Sequence, residues 1–289
     1  MKACLAVAAL VLASALPAAG AGNGAPLGGR LTMQVVHVVN GLDRYPVNYW
    51  QYLPPKRYRR KPPVLVFLHG FGEEAPDDDP GNLRLVLLHG PPQLVARGDD
   101  LCFTVGGRRS CFLMLAPQAL PSHDWYGPSV VATVERMIDR ARTLGGDMSR
   151  VYLTGLSMGG AGTWTFAGAS EWNRGGRLGG SELAAMLVVS GTTDGFSGCR
   201  IASTGVAVWA LHGTADKVLD PIGDIGGVRA VNACTHPRPA QRALLTLFQG
   251  VGHDTWDRTY DPHSRFDPSS GRPDPKGVNV YQWLLMHHR

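Results

Sequence analysis

The chain has 289 residues, of which 44% are hydrophobic and 18% charged, and its formal net charge at pH 7 is +5. Those proportions exclude an intrinsically disordered chain and leave length enough for one large α/β domain with a sizeable core. Much of the positive excess sits in Lys56-Arg-Tyr-Arg-Arg-Lys61, a single turn without interleaved stacking aromatics, which reads as a solvated loop and not as a nucleic-acid interface.

The chain opens Met1-Lys2, runs apolar from about Ala3 to Leu16, and continues Pro17-Ala-Ala-Gly-Ala21. A short positive start, an apolar stretch too short to span as a mature helix and an Ala19-Gly20-Ala21 end predict a signal peptide over 1–21. Cys4 lies inside the apolar run and not at the cleavage site, so a lipid anchor is not supported. The expected product is secreted or periplasmic, without a membrane span after cleavage. It consists of a Gly/Ala/Pro-rich flexible segment, 22–30, and one folded domain, 31–289. Cys102, Cys111, Cys199 and Cys234 remain, an even number that predicts two disulfides in an exported protein. Of the three pairings, Cys102–Cys111 with Cys199–Cys234 is the most local and is the one expected. No C-x-x-C occurs, and neither a metal nor a cofactor is expected.

Leu31–Val39 and Val47–Leu53 alternate as two opening strands. Pro63–Leu68 is continuously apolar, as a strand buried on both faces requires, and Cys111–Ala116 is the next such run. Val130, Val131, Val134, Met137, Ile138 and Ala141 recur at helical spacing. Val151-Tyr-Leu153 is a short buried strand, followed by Gly155-Leu-Ser-Met-Gly159 and a helix opening at Gly160. Ala184–Ser190, Val206–Leu211 and Ala243–Phe248 are further strands, and Val278–Met286 a closing helix. Strands alternating with helices predict an α/β fold: a single domain with a mostly parallel central sheet covered by helices on both faces.

G-x-S-x-G between a strand and a helix is a nucleophile elbow, a tight turn that lifts the serine hydroxyl out of the sheet. Glycines two before and two after Ser157 are steric requirements, because side chains there collide across the turn. A serine needs a base to take its proton and donors for the oxyanion that forms at the attacked carbonyl. In this arrangement the acid and then the base follow the serine, beyond strand ends. Asp216, a short turn after Val206–Leu211, is the expected acid, with Asp194 as the alternative. His253, after the last strand in Gly250-Val-Gly-His253, is the expected base, preferred over His212, His236 and His263. The oxyanion donors expected are the amides of Met158 and of Phe71, the latter in His69-Gly-Phe-Gly-Glu73; His69 is read as a buttress of that loop. Trp125, Trp256 and Glu73 are the candidate substrate contacts.

From about residue 45 onward the chain resembles the α/β-hydrolase group of esterases similar to polyhydroxybutyrate depolymerases and feruloyl esterases, some of whose members are labelled predicted peptidases. The matching pieces are Tyr52-Leu-Pro-Pro, Phe67-Leu-His-Gly-Phe-Gly-Glu73, Ala116-Pro-Gln118, Gly155-Leu-Ser-Met-Gly-Gly160, His212-Gly-Thr-Ala-Asp216 and Gly252-His-Asp-Thr-Trp256. The resemblance implies the α/β-hydrolase fold and the serine triad; the expected partner is a small-molecule or carbohydrate-linked ester substrate. Two stretches depart from a minimal version of the pattern: Asn173–Glu182, long and Gly-rich, and Thr255–Lys276, rich in Asp, Pro and Ser. Either can shape a cleft or be inert surface.

Overall fold

The structure, a computed structural model of the chain, describes residues 29–75, 80–171 and 177–289. The expected signal peptide, residues 22–28 of the expected flexible segment and residues 173–176 lie outside the described residues. The described residues begin with two strands, β1 (Arg30–Asn40) and β2 (Asp43–Leu53), paired antiparallel across a turn at Gly41-Leu42 where Gly41 has φ 63°. Strand β3 (Pro63–Leu68) is buried at every position, as its unbroken apolar run predicts. Helix α1 (Gly90–Ala96) follows, with prolines in its first turn, where a missing N–H costs no intrahelical bond.

The expected strand 111–116 divides in two. Strands β4 (Cys102–Val105) and β5 (Arg108–Cys111) form a separate hairpin turned by Gly106 and Gly107, both at positive φ; β6 (Leu113–Pro117) then enters the main sheet. Helix α2 (Ser129–Thr143) buries Val130, Val134, Met137, Ile138 and Ala141, the face read from their spacing. Strand β7 (Asp147–Leu156) runs into helix α3 (Met158–Gly168), and β8 (Ser170–Glu171) pairs with β9 (Arg177–Leu178). Strand β10 (Ala185–Val189), helix α4 (Gly198–Thr204), strand β11 (Ala207–Gly213), helix α5 (Ile222–Ala233) and strand β12 (Leu244–Phe248) complete the sheet. Helices α6 (Trp256–Tyr260) and α7 (Val280–Leu285) close the chain.

The eight-stranded sheet has the order β1-β2-β6-β3-β7-β10-β11-β12, and every pairing from β6 to β12 is parallel. One apolar cluster, with α2, α3, α4 and α5, covers one face; a second, with α1, α6, α7 and the β4–β5 hairpin, covers the other. This is the two-layered cover that the strand–helix alternation predicts. The chain leaves β3 toward β6 on one side and returns to β7 on the other. The carboxyl ends of β3 and β7 therefore flank a topological switch point, where open α/β sheets leave a crevice.

Cys102 is bonded to Cys111 across the β4–β5 pair, and Cys199 to Cys234, which ties α4 to the residue that ends α5. The segment 255–276 is not inert surface. Tyr260 is buried with its hydroxyl 2.7 Å from Thr154 Oγ1, and Phe266 packs edge-on against Trp209 at 5.3 Å. The described part of 173–182 forms β9 and a 3-10 turn, Gly179–Glu182, packed under α3. Among the described residues, no helix is long and apolar enough to cross a membrane.

Candidate active site

Ser157 stands between β7 and α3 with φ 52° and ψ −117°, a conformation a non-glycine residue adopts only when its surroundings dictate it. The constraint is visible on both sides. A Cβ at Gly155 falls 2.2 Å from the Gly159 carbonyl oxygen, and one at Gly159 falls 2.1 Å from the Leu68 carbonyl oxygen. The turn closes only because neither residue has a side chain. The Ser157 N–H donates to the Val189 carbonyl at 2.9 Å, which fixes the elbow to β10.

The Ser157 hydroxyl donates to His253 Nε2 at 2.8 Å, and His253 Nδ1–H donates to Asp216 Oδ2 at 2.6 Å. Three loops from three strand ends thus meet at one point. Asp216 and His253 reach each other because their loops are bonded together: Thr214 N–H donates to the Phe248 carbonyl at 3.0 Å and Ala215 N–H to the Val251 carbonyl at 2.9 Å. Gly213 permits the approach, since a Cβ there falls 2.2 Å from the Gly252 oxygen. The His253 backbone is held as well. Its carbonyl accepts from the Ser190 hydroxyl at 2.8 Å and from Thr255 N–H at 2.9 Å. Sequence reasoning missed Ser190, whose one sequence signal is its place after β10; its φ is 46°.

Asp216 has a fully buried side chain. Burial by itself raises its carboxyl, but the His253 hydrogen bond and the Val218 and Leu219 N–H groups outweigh that and hold it below the usual carboxylate range. Asp194, the alternative acid, instead accepts from the Phe196 N–H at 3.0 Å.

On the other side of Ser157 lies the loop after β3. A Cβ at Gly70 falls 3.6 Å from Ser157 Cβ, so this loop borders the hydroxyl directly. Phe71 is exposed, between Gly70 and a Gly72 at φ 91°. The Met158 N–H opens α3, where helix geometry provides no intrahelical acceptor. His69 is fully buried: its Nδ1–H donates to the Gly70 carbonyl at 2.8 Å and its Nε2 accepts from Ala119 N–H at 2.9 Å. Burial pushes its ring down to about 4, so it stays neutral, as a buttress of the loop. Gln118 supports the same loop, donating to the Glu73 carbonyl at 2.8 Å.

Two expected substrate contacts need correction. Trp125 is fully buried, with its Cβ 2.8 Å from where a side chain on Gly162 would begin and its ring 5.3 Å from His69. It packs under the loop after β3 and presents no face for stacking. Glu73 is buried and turned inward, where Oε2 accepts from Gly70 N–H at 3.0 Å. It shapes the loop; it does not reach out to a ligand. Trp256 remains at the rim, partly exposed, edge-on to His253 at 5.2 Å and to His89 at 5.6 Å.

Burial, reinforced by the charge of Glu74 and opposed by the Gly70 N–H, raises Glu73 from 4.5 to about 8. His69 Nδ1 and His89 Nε2 stand 3.9 and 3.7 Å from its carboxylate. For an acid raised in the folded state, stability is full below pH 4.5 and falls as pH rises toward 8, because the unfolded chain releases a proton that the folded one keeps. Glu73→Gln keeps the acceptor for Gly70 N–H and abolishes the ionisation. Urea titrations from pH 4 to 9 should show the variant gaining on the parent by an amount on the order of a few kcal/mol across that window. A gap independent of pH would show that Glu73 titrates normally.

No protein-family model matches this sequence, and no curated protein is similar to it in sequence. Solved structures do resemble it. A thermostable esterase is 21% identical with a TM-score of 0.56 over 89% of this chain, and this chain spans 63% of that protein's length. Esterase 2 of Thermogutta terrifontis, phosphorylated by paraoxon, is 15% identical with a TM-score of 0.53, covering 88% of this chain and 91% of its own. Its propionate-bound form has a TM-score of 0.51 at the same identity and coverage. These likenesses show that the chain has the α/β-hydrolase fold.

Proposed function

We propose that this chain is an exported serine carboxylic-ester hydrolase acting through an acyl-Ser157 intermediate. The observation that carries the reading is the unbroken line Ser157 Oγ–His253–Asp216, with hydrogen bonds of 2.8 and 2.6 Å at a strained elbow. Ser157 Oγ attacks the ester carbonyl carbon while His253 Nε2 takes its proton, and Asp216 stabilises the imidazolium. The N–H groups of Met158 and Phe71 receive the oxyanion. Collapse breaks the bond to the alcohol oxygen, which leaves with the proton from His253 Nε2. Water, deprotonated by the same nitrogen, then releases the acid and regenerates Ser157.

Small, sugar-linked or phenolic esters are the proposed substrates. Support comes from the motif resemblance to feruloyl-esterase-like and polyhydroxybutyrate-depolymerase-like enzymes and from the partly exposed Trp256, whose ring borders His253. The propionate-bound and paraoxon-phosphorylated forms of one structural neighbour, Thermogutta terrifontis esterase 2, agree with acyl chemistry on this fold. Export is supported by the residues at 1–21 and by two disulfides. Mature protein assayed with p-nitrophenyl acyl esters, methyl ferulate, acetylated xylan and chromogenic peptides tests the reading. Ester turnover is expected; peptide turnover alone would make the chain a peptidase, and no turnover without fluorophosphonate labelling of Ser157 a binding protein.

A further inference from the structure

Behind Asp216 the hydrogen-bond line continues. His212, near the end of β11, is fully buried between two carboxylates whose side chains are themselves fully buried, Asp216 and Asp224. Its Nε2 is 3.0 Å from Asp216 Oδ2 and 3.1 Å from the Leu219 carbonyl oxygen; its Nδ1 is 2.8 Å from Asp224 Oδ2. Asp224 projects from α5. Its Oδ1 accepts from the Trp164 indole N–H at 2.7 Å and its Oδ2 from Gly191 N–H at 3.0 Å.

The proton positions follow from the acceptors. Nε2 faces two oxygens, one of them a carbonyl that cannot carry a proton, so Nε2 bears hydrogen. Nδ1 faces a carboxylate whose oxygens already accept from an indole and a backbone amide. Both are the charge-assisted bonds that a carboxylate acceptor makes, and the geometry puts the shared proton on the ring. Burial alone disfavours a charged ring, but Asp224, the Leu219 carbonyl and Asp216 outweigh it and raise the ring's affinity for its proton. The charges facing the ring are Asp224 on α5 and Asp216 on the loop after β11; His253 lies beyond Asp216 and shares its Oδ2.

We propose that His212 is a positioning residue, held as an imidazolium between Asp224 and Asp216, that aims the Asp216 carboxylate at His253 and attenuates the charge presented to it. This rests on Ser157, His253 and Asp216 acting as a catalytic triad. The base must be unprotonated to start a turnover and protonated in the transition state. A carboxylate without an opposing cation favours the protonated base at all times, and the acidic limb of kcat/KM then moves to higher pH. His212 prevents that by placing a positive charge on the far side of the same oxygen.

Two variants and one spectroscopic readout test it. His212→Gln keeps an N–H donor for Asp216 and removes the charge; Asp224→Asn removes the partner that holds the second ring proton. With p-nitrophenyl acetate, both should move the acidic limb of kcat/KM upward by about one to two pH units. A limb unmoved in both variants overturns the proposal, since a merely structural histidine changes the rate and the melting temperature without changing the profile's shape. Full-length protein labelled with 15N-histidine gives the independent arm. One ring should show both nitrogens protonated at pH 8, vanish in His212→Gln and revert to a neutral tautomer in Asp224→Asn. A neutral His212 at pH 8 in the parent protein overturns the proposal even if ester hydrolysis is found. A doubly protonated ring in a protein without ester turnover would refute the ester-hydrolase reading and leave this charge arrangement standing.

Discussion

Ser157→Ala is expected to lower kcat/KM toward a soluble p-nitrophenyl ester by a factor on the order of 10⁴ to 10⁶, with little change in melting temperature. Alanine keeps the Cβ, so the conformation at φ 52° and ψ −117° is neither easier nor harder to hold than before. What disappears is the hydroxyl and its bond to His253 Nε2, a loss of about 1 kcal/mol in stability and a few degrees at most in a chain of this size. The rate loss is large because the proposed acyl-enzyme forms on the Ser157 oxygen that the variant lacks. The Met158 and Phe71 amides and the bound geometry remain, and they account for whatever activity survives. Melting curves and initial rates on the same preparation check the pairing of effects. Hydrolysis retained within tenfold would move the nucleophile elsewhere, and a collapse in melting temperature would mean that the hydroxyl is structural.

The apolar strands and the elbow are legible in the sequence because their signals are local. An unbroken run such as Val64–Leu68 has to be buried on both faces, and glycines flanking a serine between strand and helix permit few geometries. What escapes the sequence depends on packing. Helix α5 is hidden because Gly223, Gly226 and Gly227 lower its propensity; the structure keeps Gly227 because a Cβ there falls 2.5 Å from Thr193 and 3.0 Å from the Trp164 ring. Asp224 stands far along the chain from a strand end, yet α5 folds back and returns it to the end of β11. Chain order argues against His212 as the base, and the ring beside Ser157 Oγ is that of His253, but chain order says nothing about what stands behind Asp216. Trp125 follows β6 toward the catalytic edge, and only the tertiary structure shows the ring turned under Gly162 and His69.

Gly159→Ala should be the most destructive single-methyl change in the site, costing about 3 kcal/mol or more and lowering the activity of any folded fraction at least a hundredfold. The new Cβ lies 2.1 Å from the Leu68 oxygen, 2.5 Å from the Leu68 carbon and 2.6 Å from the His69 oxygen, all of them backbone atoms. No rotamer change relieves such a contact; the end of β3 has to move. That strand leads directly into the loop carrying Phe71, so a shift of about 1 Å separates the two proposed oxyanion donors as well as loosening the elbow. Gly252→Ala is the matched control beside the base. It lies next to His253, yet a Cβ there has nothing within 4 Å, so the methyl should alter stability by less than about 1 kcal/mol. Urea midpoints with ester kinetics on the two variants separate a steric requirement at the elbow from general sensitivity of the site. A Gly159→Ala protein as stable and active as the parent would mean that β3 and the elbow do not pack within 2.1 Å of that Cβ position, and the oxyanion assignment would lose its geometric basis with it.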